Sequence, residues 1–284
     1  MPRRLSAMIF SGLLALPVQA QDRKTVPVGE LTVSCGDAGT GQPVILLHGG
    51  GLSSAMWRWF APVAAENFRV LTPDTRGHGQ TDNPSGAFSY DLTADDVAGF
   101  IAALGLEQPF VVGYSDGGIT ALTFLMRHPG LARAAVIGGA THKVAADAHY
   151  AAGMQAFFGY NTPGALPDIV MDGWIADQPD TIERYRKVHG TAGNPDRWRE
   201  LYASVWPTWT TPLVMDKAAL QAVSTPTLVV LAQNDEFFTP DQATELASLL
   251  GTTELAVLPD LGHTVFRDDP DQFNAVVLEF LLRQ

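Results

Sequence analysis

Cysteine is nearly absent from this chain of 284 residues, in which Cys35 stands alone. A single thiol excludes an intramolecular disulfide and any metal centre built from several cysteines. It lies in the run Leu31 to Gly36, which reads as a strand with a buried structural thiol. Positive charge is also scarce, with 18 Lys and Arg against 30 Asp and Glu and a net charge of −12. So acidic a chain makes a poor partner for nucleic acid or an anionic membrane surface. It has no His-Glu-x-x-His, no acidic calcium loop and no cysteine cluster, so no metal is expected. It also lacks any repeat period or low-complexity tract. What remains, 46% hydrophobic and 17% charged residues, is the balance of a globular protein with a sizeable core.

Long apolar runs are missing except at the N-terminus. Met1-Pro2-Arg3-Arg4 is positive, Leu5 to Val18 is mostly apolar, and Val18-Gln19-Ala20 has small residues at the −3 and −1 positions of a cleavage site. That is the layout of a secretory signal peptide spanning 1–20, and it predicts an exported mature chain. Cleavage after Ala20 removes Arg3 and Arg4 and leaves a net charge of −14. No other stretch approaches the roughly 18 apolar residues of a membrane span, so no stable membrane association is expected.

The rest of the chain alternates between two periodicities. Thr25–Val28 and Leu31–Gly36 flank Gly29-Glu30 and read as a hairpin. Compact apolar runs follow at Val44–Leu47, Val70–Thr72, Phe110–Val112, Ala134–Ile137, Thr227–Leu231 and Glu254–Leu258, the pattern of strands buried on both faces. Helical segments lie between them, at Leu92–Leu104, Ile119–Arg127, Asp241–Leu250 and Pro270–Leu282. Such alternation predicts an α/β fold, a mainly parallel sheet with helices on both faces, built from 21–140 and 224–284. From Thr141 to about Val223 no convincing strand is visible, and four of the six tryptophans fall there. This segment, 141–223, reads as a helical insertion over one edge of the sheet. Most of its aromatics are expected to form its own small core, and a minority to wall a cavity. Trp206 and Trp209 are the candidates for that wall.

The residues able to do chemistry sit at strand ends. Gly113-Tyr114-Ser115-Asp116-Gly117-Gly118 follows an apolar strand and precedes a helix. In a sharp strand-to-helix turn only small residues fit two places before and two places after the central one. Gly113 and Gly117 meet that demand around Ser115, whereas Tyr114 fails it for Asp116, so Ser115 is the predicted nucleophile. A serine hydroxyl needs a base. His263 follows the last strand in Pro259-Asp260-Leu261-Gly262-His263, and Asp235 follows the preceding one. An acid there would hold the imidazole tautomer and stabilise the imidazolium. The order Ser115, Asp235, His263, each at a strand's C-terminal end, selects these three; Glu236 and Asp260 are the fallback acids. His48-Gly49-Gly50-Gly51 follows another strand. Its glycines would let the N–H of Gly50, less readily that of Gly51, approach an oxyanion beside the N–H of Asp116. No Gly-Lys-Ser/Thr follows, which disfavours a nucleotide phosphate cradle. His48 is expected to orient this loop. The Asp74-Thr75-Arg76-Gly77-His78-Gly79 stretch reads as a structural hydrogen-bond hub.

Taken together, Leu46-Leu47-His48-Gly49, Asp74-x-Arg76-Gly77-His78-Gly79, Gly113 to Gly118, Asp235 and Gly262-His263 make the chain resemble the α/β-hydrolase superfamily over 25–284. The resemblance implies an eight-stranded sheet, a helical cap at 141–223, and cofactor-free hydrolysis of a small-molecule ester, amide, lactone or related bond. Ser115 to Leu122 is similar to the same stretch of the valacyclovir hydrolases, which implies that Asp116 recognises a substrate α-ammonium group. Two other accounts of its charge stay open: stabilisation by the helix N-terminus, and a solvated site or a basic partner. The glycine loop is similar to that of carbon–carbon hydrolases acting on ring-cleavage products. The first expectation is a secreted serine hydrolase of carboxylic esters working through an acyl-enzyme. The alternative is a carbon–carbon hydrolase, amidase, lactonase or perhydrolase on the same three residues. Retention of all three weighs against a non-catalytic binder.

Overall fold

The computed structural model describes residues 22–284. The segment read as a signal peptide lies outside the described residues. Eight strands form one sheet: β1 (Asp22–Val28), β2 (Leu31–Ala38), β3 (Pro43–Leu47), β4 (Arg69–Pro73), β5 (Phe110–Tyr114), β6 (Ala134–Gly138), β9 (Thr227–Ala232) and β10 (Thr253–Leu258). Their order is β1-β2-β4-β3-β5-β6-β9-β10. The β1–β2 hairpin is antiparallel, β2 pairs antiparallel with β4, and every later pair is parallel. Two further strands, β7 (Lys143–Val144) and β8 (Leu213–Val214), pair at the root of the segment between β6 and β9. The sequence reading had no strand there, because two-residue strands carry no periodicity to detect.

The helices are α1 (Ala61–Ala64), α2 (Tyr90–Ala103), α3 (Asp116–Arg127), α4 (Ala148–Phe158), α5 (Asp168–Asp177), α6 (Pro179–His189), α7 (Trp198–Thr210), α8 (Lys217–Gln221), α9 (Pro240–Leu249), α10 (Val265–Asp268) and α11 (Pro270–Leu282). Local chemistry sets several of their starts. The Ser89 side chain accepts the Leu92 N–H and caps α2. Thr239 and Gln242 form a reciprocal capping box on α9, and Pro240 at its first position needs no partner for a missing N–H.

Side chains alternate across each strand, so each continuous apolar run feeds both faces of the sheet. Val44, Leu46, Val112, Val136 and Val230 pack under Trp57, Phe60 and the α11 residues Phe273, Val277 and Phe280. Ile45, Leu47, Val111, Ile137, Val229 and Leu231 pack under α2, α3 and α9. This second core continues without a break into the α4–α7 segment through Tyr150, Met154, Trp174, Tyr202 and Trp209. The segment is therefore docked on the sheet by shared apolar burial. Cys35 is fully buried in the same core, and burial pushes its thiol up to about 12. Among the described residues no helix is long and apolar enough to cross a membrane.

Candidate active site

The C-terminal ends of β3, β5, β9 and β10 converge on one edge of the sheet. The order reverses direction between β3 and β5, and open α/β sheets place ligands at such a switch point. Ser115 sits there, in the turn between β5 and α3, with φ +56 and ψ −122. That is a costly conformation for a residue with a Cβ. The turn is held shut by close backbone contacts: a Cβ on Gly113 would collide with the Gly117 carbonyl, and one on Gly117 with the Leu47 carbonyl. The Ser115 N–H bonds Gly138 O at 2.8 Å, tying the turn to β6.

His263 Nε2 lies 3.0 Å from Ser115 Oγ, and its Nδ1 lies 2.8 Å from Asp235 Oδ2. Asp235 is buried, and its other oxygen accepts the N–H groups of Phe237 and Phe238 at 2.9 and 3.0 Å. An ionised carboxylate only accepts, so Nδ1 carries the ring proton and Nε2 is free to accept from the serine. The loop carrying the imidazole is fixed on three sides. Tyr114 Oη donates to His263 O at 2.8 Å, the His263 N–H donates to Glu236 at 2.7 Å, and the Phe237 ring packs edge-on 4.7 Å from the imidazole. Glu236 thus holds the histidine's backbone and not its ring. Asp260, in a turn at φ +59, is not the ring's hydrogen-bond partner, a place Asp235 takes.

Gly50 and Asp116 both border the cavity next to Ser115, and neither backbone N–H bonds another described residue. The Gly51 N–H is engaged, donating to His78 Nε2 at 3.1 Å, so Gly51 contributes its backbone to the cavity wall but no free donor. Gly50 must lack a side chain, since a Cβ would strike the Asp116 carboxylate and the Trp209 ring. His48 orients the loop as expected: its Nε2 accepts the Thr75 N–H at 3.0 Å, leaving Nδ1–H to donate to Gly49 O at 2.8 Å. Asp74 accepts from Ser54 N, Gln80 N and Arg23, and Arg76 forms a paired bond with Asp96, so this stretch is a hub of hydrogen bonds.

Asp116 shows what the sequence could not. Its carboxylate accepts from Tyr90 Oη at 2.9 Å and from Trp209 Nε1 at 2.6 Å. Burial raises its pKa from 3.8 to about 6, against the lowering effect of those two donors and of His263. Both oxygens are held by neutral protein donors, which offset part of the cost of burying the charge without a substrate ammonium group. Tyr90 carried no sequence signal for this role; it stands 26 residues from Asp116.

Above Ser115 lies a cavity of about 680 Å³ roofed by α4–α7. Its walls include Ile119, Tyr150, Met154, Phe158, Phe237 and Phe238. Seven of the ten Phe, Tyr and Trp residues in 141–223 border it, reversing the expectation that only a minority of that segment's aromatics would. A thin layer of helices over a sheet has one inner face, which must serve as core and cavity wall at once. Trp206 corrects the sequence reading. It is fully buried away from the cavity, donates to Thr162 O, and packs on Phe158 and Tyr160 with ring centres 5.5 and 5.6 Å away. Three residues along α7 from Trp206, Trp209 turns to the cavity instead. Arg58, Arg184 and Arg267 also border the cavity, all exposed to solvent. Among the described residues no cluster of His, Cys, Asp and Glu is arranged to hold a metal ion.

Comparison with known proteins places this geometry. The model of the alpha/beta hydrolase family matches residues 44–276. The chain is 28% identical to the 2-hydroxymuconate semialdehyde hydrolase of Pseudomonas sp. (strain CF600), covering 86% of this chain and 88% of that one. It is 27% identical to the 2-hydroxy-6-oxo-2,4-heptadienoate hydrolase of Pseudomonas putida, covering 93% and 98%. Among solved structures, a variant of a meta-cleavage product hydrolase superposes with a TM-score of 0.74 at 26% identity, covering 92% of this chain and 98% of that one. With a family model spanning most of its length and the eight-stranded sheet to match, the chain belongs to the alpha/beta hydrolase family.

Proposed function

We propose that this protein is a serine hydrolase that cleaves the carbon–carbon bond beside a ketone in a small unsaturated oxo-acid. The observation that carries the reading is the 3.0 Å approach of His263 Nε2 to Ser115 Oγ at the floor of an aromatic cavity. The relatives that share this architecture and are named for 2-hydroxy-6-oxo-dienoate and semialdehyde substrates support it. They move the reading away from carboxylic esters, the first expectation from the motifs, to its alternative.

In this mechanism Ser115 Oγ attacks the ketone carbon while its proton passes to His263 Nε2, and Asp235 stabilises the resulting imidazolium. The carbonyl oxygen becomes an oxyanion held by the Gly50 and Asp116 N–H groups. With the substrate in its keto tautomer, the enol proton having moved to the carbon beside the ketone, the carbon–carbon bond then breaks, its electron pair is delocalised into the departing dienolate fragment, and that fragment takes the proton from His263. Water, deprotonated by His263, releases the acyl group from Ser115. Aromatic walls suit a conjugated, planar substrate. Arg58 and Arg184, which have no carboxylate partner among the described residues, offer charge for its carboxylate. We also propose that the chain is exported.

The test compares kcat/KM for a 2-hydroxy-6-oxo-6-phenyl-dienoate, followed by loss of its dienolate absorbance, with kcat/KM for p-nitrophenyl butyrate. Preference for the dienoate is expected. Preference for the ester would restore the ester reading. Failure of a fluorophosphonate to label Ser115 would reject the site altogether.

A further inference from the structure

The glycine loop that carries the Gly50 donor is held from below by core residues and from above by the helical roof, where Trp209 and Tyr202 pack against it and one side chain hydrogen-bonds to it. That side chain is His189, the last residue of α6, and it is fully buried. The Gly79 N–H donates to His189 Nδ1 at 2.9 Å, so the ring proton is on Nε2, which donates to Gly51 O at 3.0 Å. Burial lowers the imidazole to about 4, which keeps this neutral, single-tautomer arrangement in place at neutral pH. The Gly51 N–H goes to His78 Nε2 at 3.1 Å, so both polar backbone atoms of Gly51 are fixed by imidazoles from two different layers. Arg197 locks the same junction. Its guanidinium donates to His189 O at 2.6 Å and to the carbonyls of Gly79 and Thr81.

The rest of α6 faces the substrate cavity through Thr181, Ile182, Tyr185 and Val188. One short helix therefore touches the space a substrate would fill and, at its end, the loop expected to bind the oxyanion. We infer that His189 is a positioning residue that sets the Gly50 N–H for the oxyanion, making the hole complete only when α6 is docked. This rests on the proposed role of Gly50. A donor loop misplaced by about 1 Å costs on the order of 100-fold in rate.

Three variants separate the possibilities. His189→Gln carries a side-chain N–H near the place of Nε2 and keeps a donor for Gly51 O. His189→Asn reaches only the place of Nδ1, and His189→Phe fills the space without either bond. The readouts are kcat and KM for p-nitrophenyl butyrate, the rate of fluorophosphonate labelling of Ser115, and the melting temperature. Falls in kcat and in labelling rate of roughly 10- to 100-fold are expected for the Asn and Phe variants, with KM little changed and most of the loss recovered in the Gln variant. Parent-like labelling and kcat in His189→Phe would overturn the inference while leaving the serine site intact. So would equal losses in all three variants that follow their melting temperatures, the behaviour of a purely structural residue. If Ser115 of the parent protein is not labelled at all, the site reading fails and the inference with it.

Discussion

Replacing Asp116 by Asn tests the electrostatics of the site most directly. The Asp116 carboxyl titrates near 3.8 in an unfolded chain and at about 6 in the folded one, chiefly because it is buried. A raised carboxyl pKa means that the native state holds a proton the unfolded chain has already lost. Its stabilising effect is complete below about pH 4 and disappears as pH rises through about 6. The full shift corresponds to about 3 kcal/mol at neutral pH. Asp116 borders the cavity, so solvent screening reduces this, and we expect roughly 1–3 kcal/mol. Asparagine removes the titration and preserves the contacts. Its oxygen can accept from Trp209 Nε1 and its amide can donate to Tyr90 Oη, whose hydroxyl rotates to accept. Asp116→Asn should therefore melt higher than the parent above about pH 6, by about 2–4 °C per kcal/mol, and converge with it near pH 4. Thermal unfolding of both proteins across that range is the assay. Parallel curves, or a variant less stable than the parent at about pH 8, would refute the reasoning. Because both carboxylate oxygens already have protein donors, the substitution should alter turnover of substrates with and without an α-amino group alike. A loss confined to aminated substrates would restore the ammonium role implied by the valacyclovir hydrolase resemblance.

Ser115→Ala and His263→Ala should each lower turnover by several orders of magnitude with little change in melting temperature, since residues acting as a unit fail together; near-parent turnover in Ser115→Ala would exclude the proposed nucleophile. Trp206→Ala should cost about 3–5 kcal/mol in urea unfolding, as expected for a large buried ring, without changing the ratio of kcat/KM between two substrates. Trp209→Phe should do the reverse, raising the apparent pKa of Asp116 and altering substrate preference at a smaller stability cost, read from the same two measurements. On expression with export machinery, the recovered protein should begin at Gln21 by N-terminal sequencing; an intact Met1 in the exported fraction would exclude cleavage after Ala20.

The sheet and the approximate place of the site were legible because they rest on local rules. Runs such as Val44–Leu47 and Phe110–Val112 are apolar at every position, which a strand buried on both faces requires. Gly113, Ser115 and Gly117 satisfy a steric condition that spans only five residues. Such signals survive in one dimension because the partners lie a few residues apart or because the pattern itself defines the element. Asp235 and His263 were readable at one remove, through their position after successive strands.

What the tertiary structure alone decided is which distant groups meet. Tyr90 and Trp209 reach Asp116 from α2 and α7, and His189 reaches Gly51 across 138 residues. Trp206 and Trp209 have the same chemistry in one helix, yet one fills a core and the other walls the cavity. Nothing in their neighbours distinguishes them, because the exposed stripe of α7 around Glu200 and Ala203 marks its outer face but not which of its buried rings meets the cavity. Orientation there is set by how α7 packs against Phe158, Tyr160 and the glycine loop. That packing is a property of several segments at once and is written in none of them singly.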